Sequence, residues 1–174
     1  MKEFLDGFLP RILPEGVTFT VVPHEGKSDL ERSLPRKLRG WRTPDTRFVV
    51  VRDQDSARCV DVKASLVRLC AQAGRPDSLV RVACHELESW FLGDLQALAD
   101  AYGTPALSAH VGRSKWRDPD RLGSPSQELV RLVPTYQKVA GARLMGPRLD
   151  PSRCTSGSLR TFVSGVQRLV SEAA

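Results

Sequence analysis

The chain has 174 residues, enough for one domain with a buried core, and its 41% hydrophobic and 26% charged residues are typical of a globular protein. Its 26 lysines and arginines outnumber its 20 acidic residues, and the net charge of +6 favours an anionic partner, with nucleic acid as the first candidate. No apolar run approaches the roughly 18 residues of a transmembrane helix and no signal-peptide pattern is present, so we expect a cytoplasmic protein with no membrane partner.

The first part of the chain alternates predicted helices and strands. Residues 2–9 have the apolar spacing of a helix, and residues 17–22 ("VTFTVV") alternate and are β-branched, which predicts a strand. Ser28 and Glu31 have capping-box spacing, so a helix is predicted to begin there. The elements predicted next are a strand at 47–51, a helix at 56–73, a strand at 78–84 and a helix at 86–102.

This alternation is typical of a parallel sheet flanked by helices, so residues 1–103 are predicted to form a βαβ core. Beyond it, a polar stretch containing Pro and Gly leads to helices near 125–133 and 157–172. We therefore predict a single α/β domain over 1–174, with a mostly parallel sheet and a mostly helical part at 104–174.

Four carboxylates follow two of the predicted strands. Asp53 and Asp55 come after strand 47–51, in "RFVVVRDQDS", and Glu86 and Glu88 follow strand 78–84, in "ACHELESW". Ligands of open α/β sheets bind beyond the carboxyl ends of the strands, and the i, i+2 spacing of the two aspartates points them the same way if the extended conformation continues.

Four carboxylates in a partly buried cleft would repel one another, and a divalent cation relieves that repulsion. Oxygen-only ligands favour Mg²⁺ or Mn²⁺, so Asp53, Asp55, Glu86 and Glu88 are candidate metal ligands. Asp53 and Glu86 are the candidate catalytic residues, with Glu86 either at the metal or activating water. An acidic metal site in a basic protein suits phosphodiester chemistry, in which Lys and Arg hold the phosphates. The candidate phosphate contacts are Lys27, Arg52, Lys138 and Arg143.

The carboxylates also have structural explanations, which the sequence leaves open. Asp55 could be the N-cap of helix 56–73, and Glu86 and Glu88 could be first-turn acids stabilised by a helix dipole. The second functional hypothesis is accordingly a non-enzymatic nucleic-acid-binding or adaptor subunit of a partner ATPase. Trp90 and Phe91 are predicted to lie in the core.

The segments "VVVRDQDSARC", "VRVACHELESWFLGDLQAL" and "FTVVPHEGKSDLERSLPRKLRGW" resemble an uncharacterised bacterial family related to the TOPRIM (topoisomerase–primase) fold, whose members include nucleases of the OLD type. The resemblance covers nearly the whole chain, and "ELESWFLGD" is its most specific part. It implies a Rossmann-like sheet and a Mg²⁺ site built from a glutamate after the first strand and a D-x-D after the third, which Asp53 and Asp55 match. It also implies an ATPase partner and a role in phage defence.

The glutamate is where the chain departs from the TOPRIM pattern. Glu25 is followed by a glycine, as in the family, but only one helix and the D-x-D strand separate it from Asp53, where the family has a further strand–helix unit. Strand 17–22 therefore corresponds to the second TOPRIM strand and helix 2–9 to the first helix. On this resemblance we expect the first strand and its glutamate to precede Met1, and the chain to be a shortened form with an impaired metal site.

Overall fold

The computed structural model describes residues 1–172 and has an α/β architecture in which helices flank a small parallel sheet. The α-helices are α1 (Lys2–Phe8), α2 (Lys27–Gly40), α3 (Cys59–Gln72), α4 (Glu88–Leu92), α5 (Leu95–Tyr102), α6 (Pro125–Leu132), α7 (Lys138–Met145) and α8 (Gly157–Ser171). The strands are β1 (Val49–Asp53) and β2 (Leu79–Ala83). Short 3₁₀ helices lie at Leu9–Arg11, Pro105–His110, Ser114–Trp116 and Pro119–Arg121.

The two strands form a parallel βαβ unit in which α3 is the crossover. Asp53, the last residue of β1, lies opposite Ala83, the last residue of β2. Successive residues of a strand face opposite sides of the sheet. Val50 packs in one core with α2 and α3, whereas Val51 and Ala83 belong to the core on the other side. Both faces of the sheet are therefore covered, as predicted, and the side chain of Asp53 belongs to the face opposite that of Arg52.

The larger core is aromatic and lies on the Asp53 side of the sheet. Phe4 of α1, Trp90 and Phe91 of α4 and Phe162 of α8 are all buried there. The ring centroids of Phe4 and Trp90 are 5.7 Å apart, and those of Trp90 and Phe162 are 5.2 Å apart. Trp90 Nε1 donates a 2.8 Å hydrogen bond to Ser158 Oγ, so its polar group is satisfied. The prediction that Trp90 and Phe91 belong to the core is confirmed.

The predicted strand at 17–22 does not form. Within residues 1–172 this segment joins no sheet, and Val17, Phe19 and Val22 are 38%, 38% and 41% exposed. Alternating β-branched residues indicate a half-buried surface, but a strand also needs a neighbour that satisfies its N–H and C=O groups. The sheet of the described chain consequently has two strands, fewer than the Rossmann-like prediction implied.

The helix predicted at 86–102 is divided into α4 and α5 at Gly93 and Asp94. Asp94 is the N-cap of α5, where its carboxylate accepts from the Ala97 N–H. A Cβ atom on Gly93 would lie 2.4 Å from Cys154 Sγ, so the chain before α8 packs directly against this glycine. The break thus combines a local helix cap at Asp94 with a close tertiary contact at Gly93, and the apolar periodicity of the segment records neither.

The C-terminal part is helical, as predicted. Helices α6 and α8 correspond to the predicted helices at 125–133 and 157–172, whereas α7 lies between them, where no helix was predicted. The apolar residues Leu159, Phe162, Val163 and Val166 of α8 are buried along one face. Of the helices that the structure describes, none combines the length and apolarity that crossing a membrane requires.

A close contact between α1 and the end of α7 gives a first prediction. A Cβ atom on Gly146 would lie 2.6 Å from the backbone oxygen of Phe4, which cannot move without distorting α1. We expect Gly146→Ala to lower the free energy of unfolding by about 1–3 kcal/mol because the contact becomes overpacked. Urea denaturation measures this, with Gly40→Ala as the control, since nothing lies within 4 Å of a Cβ atom there. Equal stability of the two variants would contradict the prediction.

Candidate functional site

Asp53 carries a poorly satisfied carboxylate at the carboxyl end of β1. Its Oδ1 atom is buried and has no hydrogen-bond partner in the described structure. Burial, and after it the charge of Glu88, raises the pKa of Asp53 to about 6. Near pH 7 the group is therefore mostly ionised at a position that disfavours its charge.

Glu88, the first residue of α4, is only 3% exposed and lies close enough to Asp53 for its charge to raise the pKa of that carboxyl. The hydroxyl of Tyr136 donates a 2.7 Å hydrogen bond to Glu88 Oε1, and Lys138 Nζ is 3.9 Å from the same oxygen. Burial and the neighbouring Glu88 carboxylate raise the pKa of Tyr136, so its hydroxyl stays protonated and remains a donor. Glu88 is thus fixed in place by two residues that follow α6.

Glu86 lies in the turn before α4 and is held by the start of α6. The backbone N–H of Ser126 donates to Glu86 Oε2 at 2.9 Å, and Lys138 Nζ donates to Oε1 at 3.3 Å. Burial alone would raise the pKa of Glu86, but the Ser126 hydrogen bonds and the Lys138 charge outweigh it and lower the pKa. Glu86 therefore remains ionised, and its negative charge compensates the positive end of the α6 dipole. The sequence had suggested that it would do so for the helix that follows it, α4.

Lys138, the first residue of α7, links these carboxylates. Partial burial opposes its charge, but Glu88 and Glu86 more than compensate and raise the pKa of Lys138. We call Asp53, Glu86 and Glu88 the acidic cluster. Lys138 is the lysine that pairs with two of its members in the described structure.

The second aspartate of the D-x-D turns away from the acidic cluster. Asp55 has φ +57°, in the left-handed region, so the extended conformation ends before it and the predicted common direction of the two aspartates does not arise. Asp55 Oδ2 instead lies 3.3 Å from Arg52 Nη2. Asp55 is not the N-cap of α3 either, because Arg58 occupies that position. The D-x-D is thereby divided: Asp53 lies on the side of the larger core, whereas Asp55, beyond the strand, pairs with Arg52 of the opposite face.

Arg52 is buried on the α2 side of the sheet. Its Nη1 is 2.7 Å from Glu31 Oε1, and its Nε donates to the backbone oxygen of Asp53 at 2.9 Å. The expected capping box does not form: α2 begins at Lys27 after Gly26, and Glu31 pairs with Arg52. Arg52 therefore joins α2 to the end of β1, and a phosphate contact would require it to leave these partners.

The other two candidate phosphate contacts lie apart from these carboxylates. Arg143 forms an ion pair with Glu3 of α1 at 2.8 Å, and Lys27 is an exposed residue at the start of α2. In the described structure neither makes a hydrogen bond or ion pair with the acidic cluster. Lys138 is the candidate that the fold brings to the carboxylates.

Across residues 1–172, no three Asp, Glu, His or Cys side chains are arranged so that they could hold a metal ion together. The carboxylates of Glu86 and Glu88 instead accept hydrogen bonds from Ser126, Tyr136 and Lys138. Sequence patterns did not point to Ser126 or Tyr136, because both are distant in sequence from the strands that define the site.

A groove opens beside these residues. It has a volume of about 480 Å³ and shares Ser126, Tyr136 and Lys138 with the site. The remaining lining residues are Gln127, Val130 and Arg131. The groove therefore offers cationic, amide and apolar groups next to the acidic cluster.

Comparison with curated proteins and with solved structures gives no significant match. A family model described as a domain of unknown function, DUF4276, matches residues 1–167, almost the whole chain. That description states no activity, so the TOPRIM resemblance remains a prediction. From the span of the match, the protein is a member of the DUF4276 family.

Proposed function

We propose that this protein is a divalent-metal-dependent phosphoryl-transfer protein, a nuclease in the first instance, that acts on nucleic acid at the acidic cluster. The observation that carries the proposal is the buried Asp53 Oδ1, which lacks a hydrogen-bond partner and lies near a second buried carboxylate, Glu88. An ionised carboxylate that is largely shielded from water and has an unpartnered oxygen is costly to the fold, and such groups cluster at functional sites.

The residues present fit Mg²⁺ or Mn²⁺ in part. Asp53 and Glu88 would hold the cation, because both supply oxygen ligands and Asp53 has one unused. Mg²⁺ commonly binds through one or two carboxylates and keeps several waters, so a third protein ligand is not required. When bound, the cation would stabilise the negative charge that develops on a phosphate.

The remaining residues of the site would hold the carboxylates in place and bind the phosphates of the substrate. Tyr136 fixes the orientation of Glu88 through its hydroxyl, and Ser126 fixes Glu86. Lys138 and Arg131 line the groove beside the cluster and would contact the phosphates of a strand that lies in it. An ATPase partner and a role in phage defence complete the proposal, and both rest on the TOPRIM resemblance alone.

The alternative, a non-enzymatic nucleic-acid-binding or adaptor subunit, is favoured by one observation. Glu86 and Glu88 already have hydrogen-bond partners, as structural carboxylates do. In that case nucleic acid would bind through basic residues only, and its affinity would fall with salt and be indifferent to Mg²⁺.

A cleavage assay separates the two functions. We expect DNA or RNA to be cleaved in Mg²⁺ or Mn²⁺ but not in EDTA, and Asp53→Ala to abolish the cleavage. Asp118→Ala, which removes an exposed acid paired with Arg121, is the control and should retain activity. Full activity of Asp53→Ala would refute the site. Salt-sensitive binding that needs neither metal nor Asp53 and is not followed by cleavage would support the alternative.

A further inference from the structure

We propose that the end of the sheet opposite the acidic cluster is a further contact surface for nucleic acid, where basic side chains bind the phosphates of a strand. The proposal goes beyond the function proposed above, because it depends neither on the acidic cluster nor on catalysis, and it is compatible with both candidate functions. We call this surface the basic face, and its cations are Arg36, Lys37, Arg39, Arg42, Arg47 and Arg75.

The basic face lies where α2 and α3 end and β1 begins. Arg39, in the last turn of α2, donates to the backbone oxygen of Gln72 at the end of α3. The guanidinium of Arg75, just beyond α3, lies 5.1 Å from the centre of the Phe48 ring, which directly precedes β1. Phe48 in turn packs edge-on against Trp41, with ring centroids 5.8 Å apart. These contacts bring cations that are distant in sequence onto one surface.

The basic face and the acidic cluster lie at opposite ends of β1. Phe48 precedes the strand and Asp53 is its last residue, so the two surfaces are about 15 Å apart at the usual rise per residue of a strand. In the described structure no cation of the basic face forms an ion pair with a member of the acidic cluster. Either surface can therefore be altered by substitution without removing a contact of the other.

The basic face carries more positive charge than its own acids can compensate. Residues 36–48 and 72–78 contain its six cations and two acids, Asp45 and Asp77. Asp77 Oδ2 lies 3.9 Å from Arg47 Nη1, which is a long distance for an ion pair. Three of the cations form no ion pair or side-chain hydrogen bond within residues 1–172, namely Arg36, Lys37 and Arg42.

The helix dipole explains only part of this charge. It favours Lys37 and Arg39 in the last turn of α2, but Arg42 and Arg47 lie in the loop beyond the helix. Cations that are held near one another repel, and a chain of phosphates relieves that repulsion while it releases its own counterions. Charge complementarity therefore favours nucleic acid as the occupant of the basic face.

Fluorescence anisotropy of a labelled oligothymidylate of about 20 nucleotides, measured in EDTA, tests the proposal without any need for catalysis. The test variant combines Arg36→Gln, Lys37→Gln and Arg42→Gln, which break no ion pair or hydrogen bond of the described structure. The control variant replaces three exposed arginines that each lie beside an acid three or four residues away, and combines Arg58→Gln, Arg121→Gln and Arg168→Gln. Both variants lose three charges, so a difference between them reports the position of the charge.

We expect the test variant to bind the oligonucleotide at least about tenfold more weakly than the wild type at about 0.1 M salt. The slope of log affinity against log salt should become shallower by about 2, because each phosphate contact with a single strand contributes about 0.7. The control variant should stay within about threefold of the wild type.

The fluorescence of Trp41 gives a second readout that locates the bound strand. Trp41 is half-buried in the basic face, whereas Trp90 and Trp116 are buried. Saturating oligonucleotide should therefore change the tryptophan fluorescence of the wild type and leave that of Trp41→Phe unchanged.

Equal losses of affinity in the test and control variants, or no loss in the test variant, would refute the basic face. Absence of binding by the wild type at about 100 μM protein would refute it as well. Tighter binding to phosphatidylserine vesicles than to the oligonucleotide would identify an anionic membrane surface as the partner and overturn the proposal. Binding without cleavage in the assay described above would refute the nuclease and leave the basic face intact. If the triple variant does not fold, Arg42→Gln alone replaces it, with an expected loss of affinity of about two- to threefold, and an unchanged affinity counts as the same refutation.

Discussion

Asp53→Asn is expected to stabilise the metal-free protein by about 2–3 kcal/mol at pH 7.5. Asparagine has nearly the same shape but no charge to bury. The pKa of Asp53 is raised from 3.8 to about 6, and each unit corresponds to about 1.4 kcal/mol. Because the folded state holds the Asp53 proton more tightly than the unfolded state, this group destabilises the fold increasingly as the pH rises from about 4 to about 6. The cost is fully present above pH 6 and absent below pH 4.

Urea denaturation in EDTA at pH 7.5 and at pH 4 measures this effect. The advantage of Asp53→Asn should be present at the higher pH and nearly vanish at the lower one. Asp55→Asn is the matched control from the same D-x-D. Asp55→Asn should not raise the free energy of unfolding, because Asp55 is exposed and lies beside Arg52. A less stable Asp53→Asn at pH 7.5 would contradict the prediction, because the ionised carboxylate would then stabilise the folded state.

Asp94→Ala is expected to destabilise the protein by about 3–5 kcal/mol. Asp94 is 3% exposed, and its carboxylate accepts from the backbone N–H groups of Ala97 and Asp150 and from Arg153 Nη2 at 3.1 Å. Alanine would remove the cap of α5, leave the Asp150 N–H without its partner and break an ion pair whose acid is buried.

Asp100→Ala is the control for this variant. Asp100 lies near the end of the same helix, is exposed, and accepts one hydrogen bond from Gln96. Its replacement should change the free energy of unfolding by less than about 0.5 kcal/mol. If urea denaturation shows similar losses of unfolding free energy for the two variants, the prediction that Asp94 stabilises the fold through its buried contacts is wrong.

Much of the fold could be predicted from local patterns. Helix α1, the two strands, the crossover α3 and the apolar face of α8 each follow from a periodicity of 3.6 or 2 residues or from a short apolar run. The position of Asp53 at the carboxyl end of its strand could be predicted from the apolar run that precedes it. The inference that Trp90 is buried needed only its position on an apolar helix. These properties depend on neighbours along the chain, which a sequence displays directly.

Other features depend on which segments meet. Residues 17–22 have a strand pattern and still join no sheet in the described chain, because pairing requires a partner that no local pattern supplies. Asp53 and Asp55 lie two residues apart and face different environments, because the backbone of Asp55 enters the left-handed region and its carboxylate pairs with Arg52.

The partners of the acidic cluster were decided by the tertiary structure alone. Ser126 meets Glu86 across 40 residues, Tyr136 meets Glu88 across 48, and Lys138 meets Glu86 across 52. The sequence by itself determined which carboxylates lie at the end of a strand or shortly after it. Packing of α6 and α7 against α4 and α1 decided which of them are buried, which are compensated and which one, Asp53, keeps an oxygen without a partner. The physical reason is that burial and charge pairing depend on distances in space, whereas a sequence records only distances along the chain.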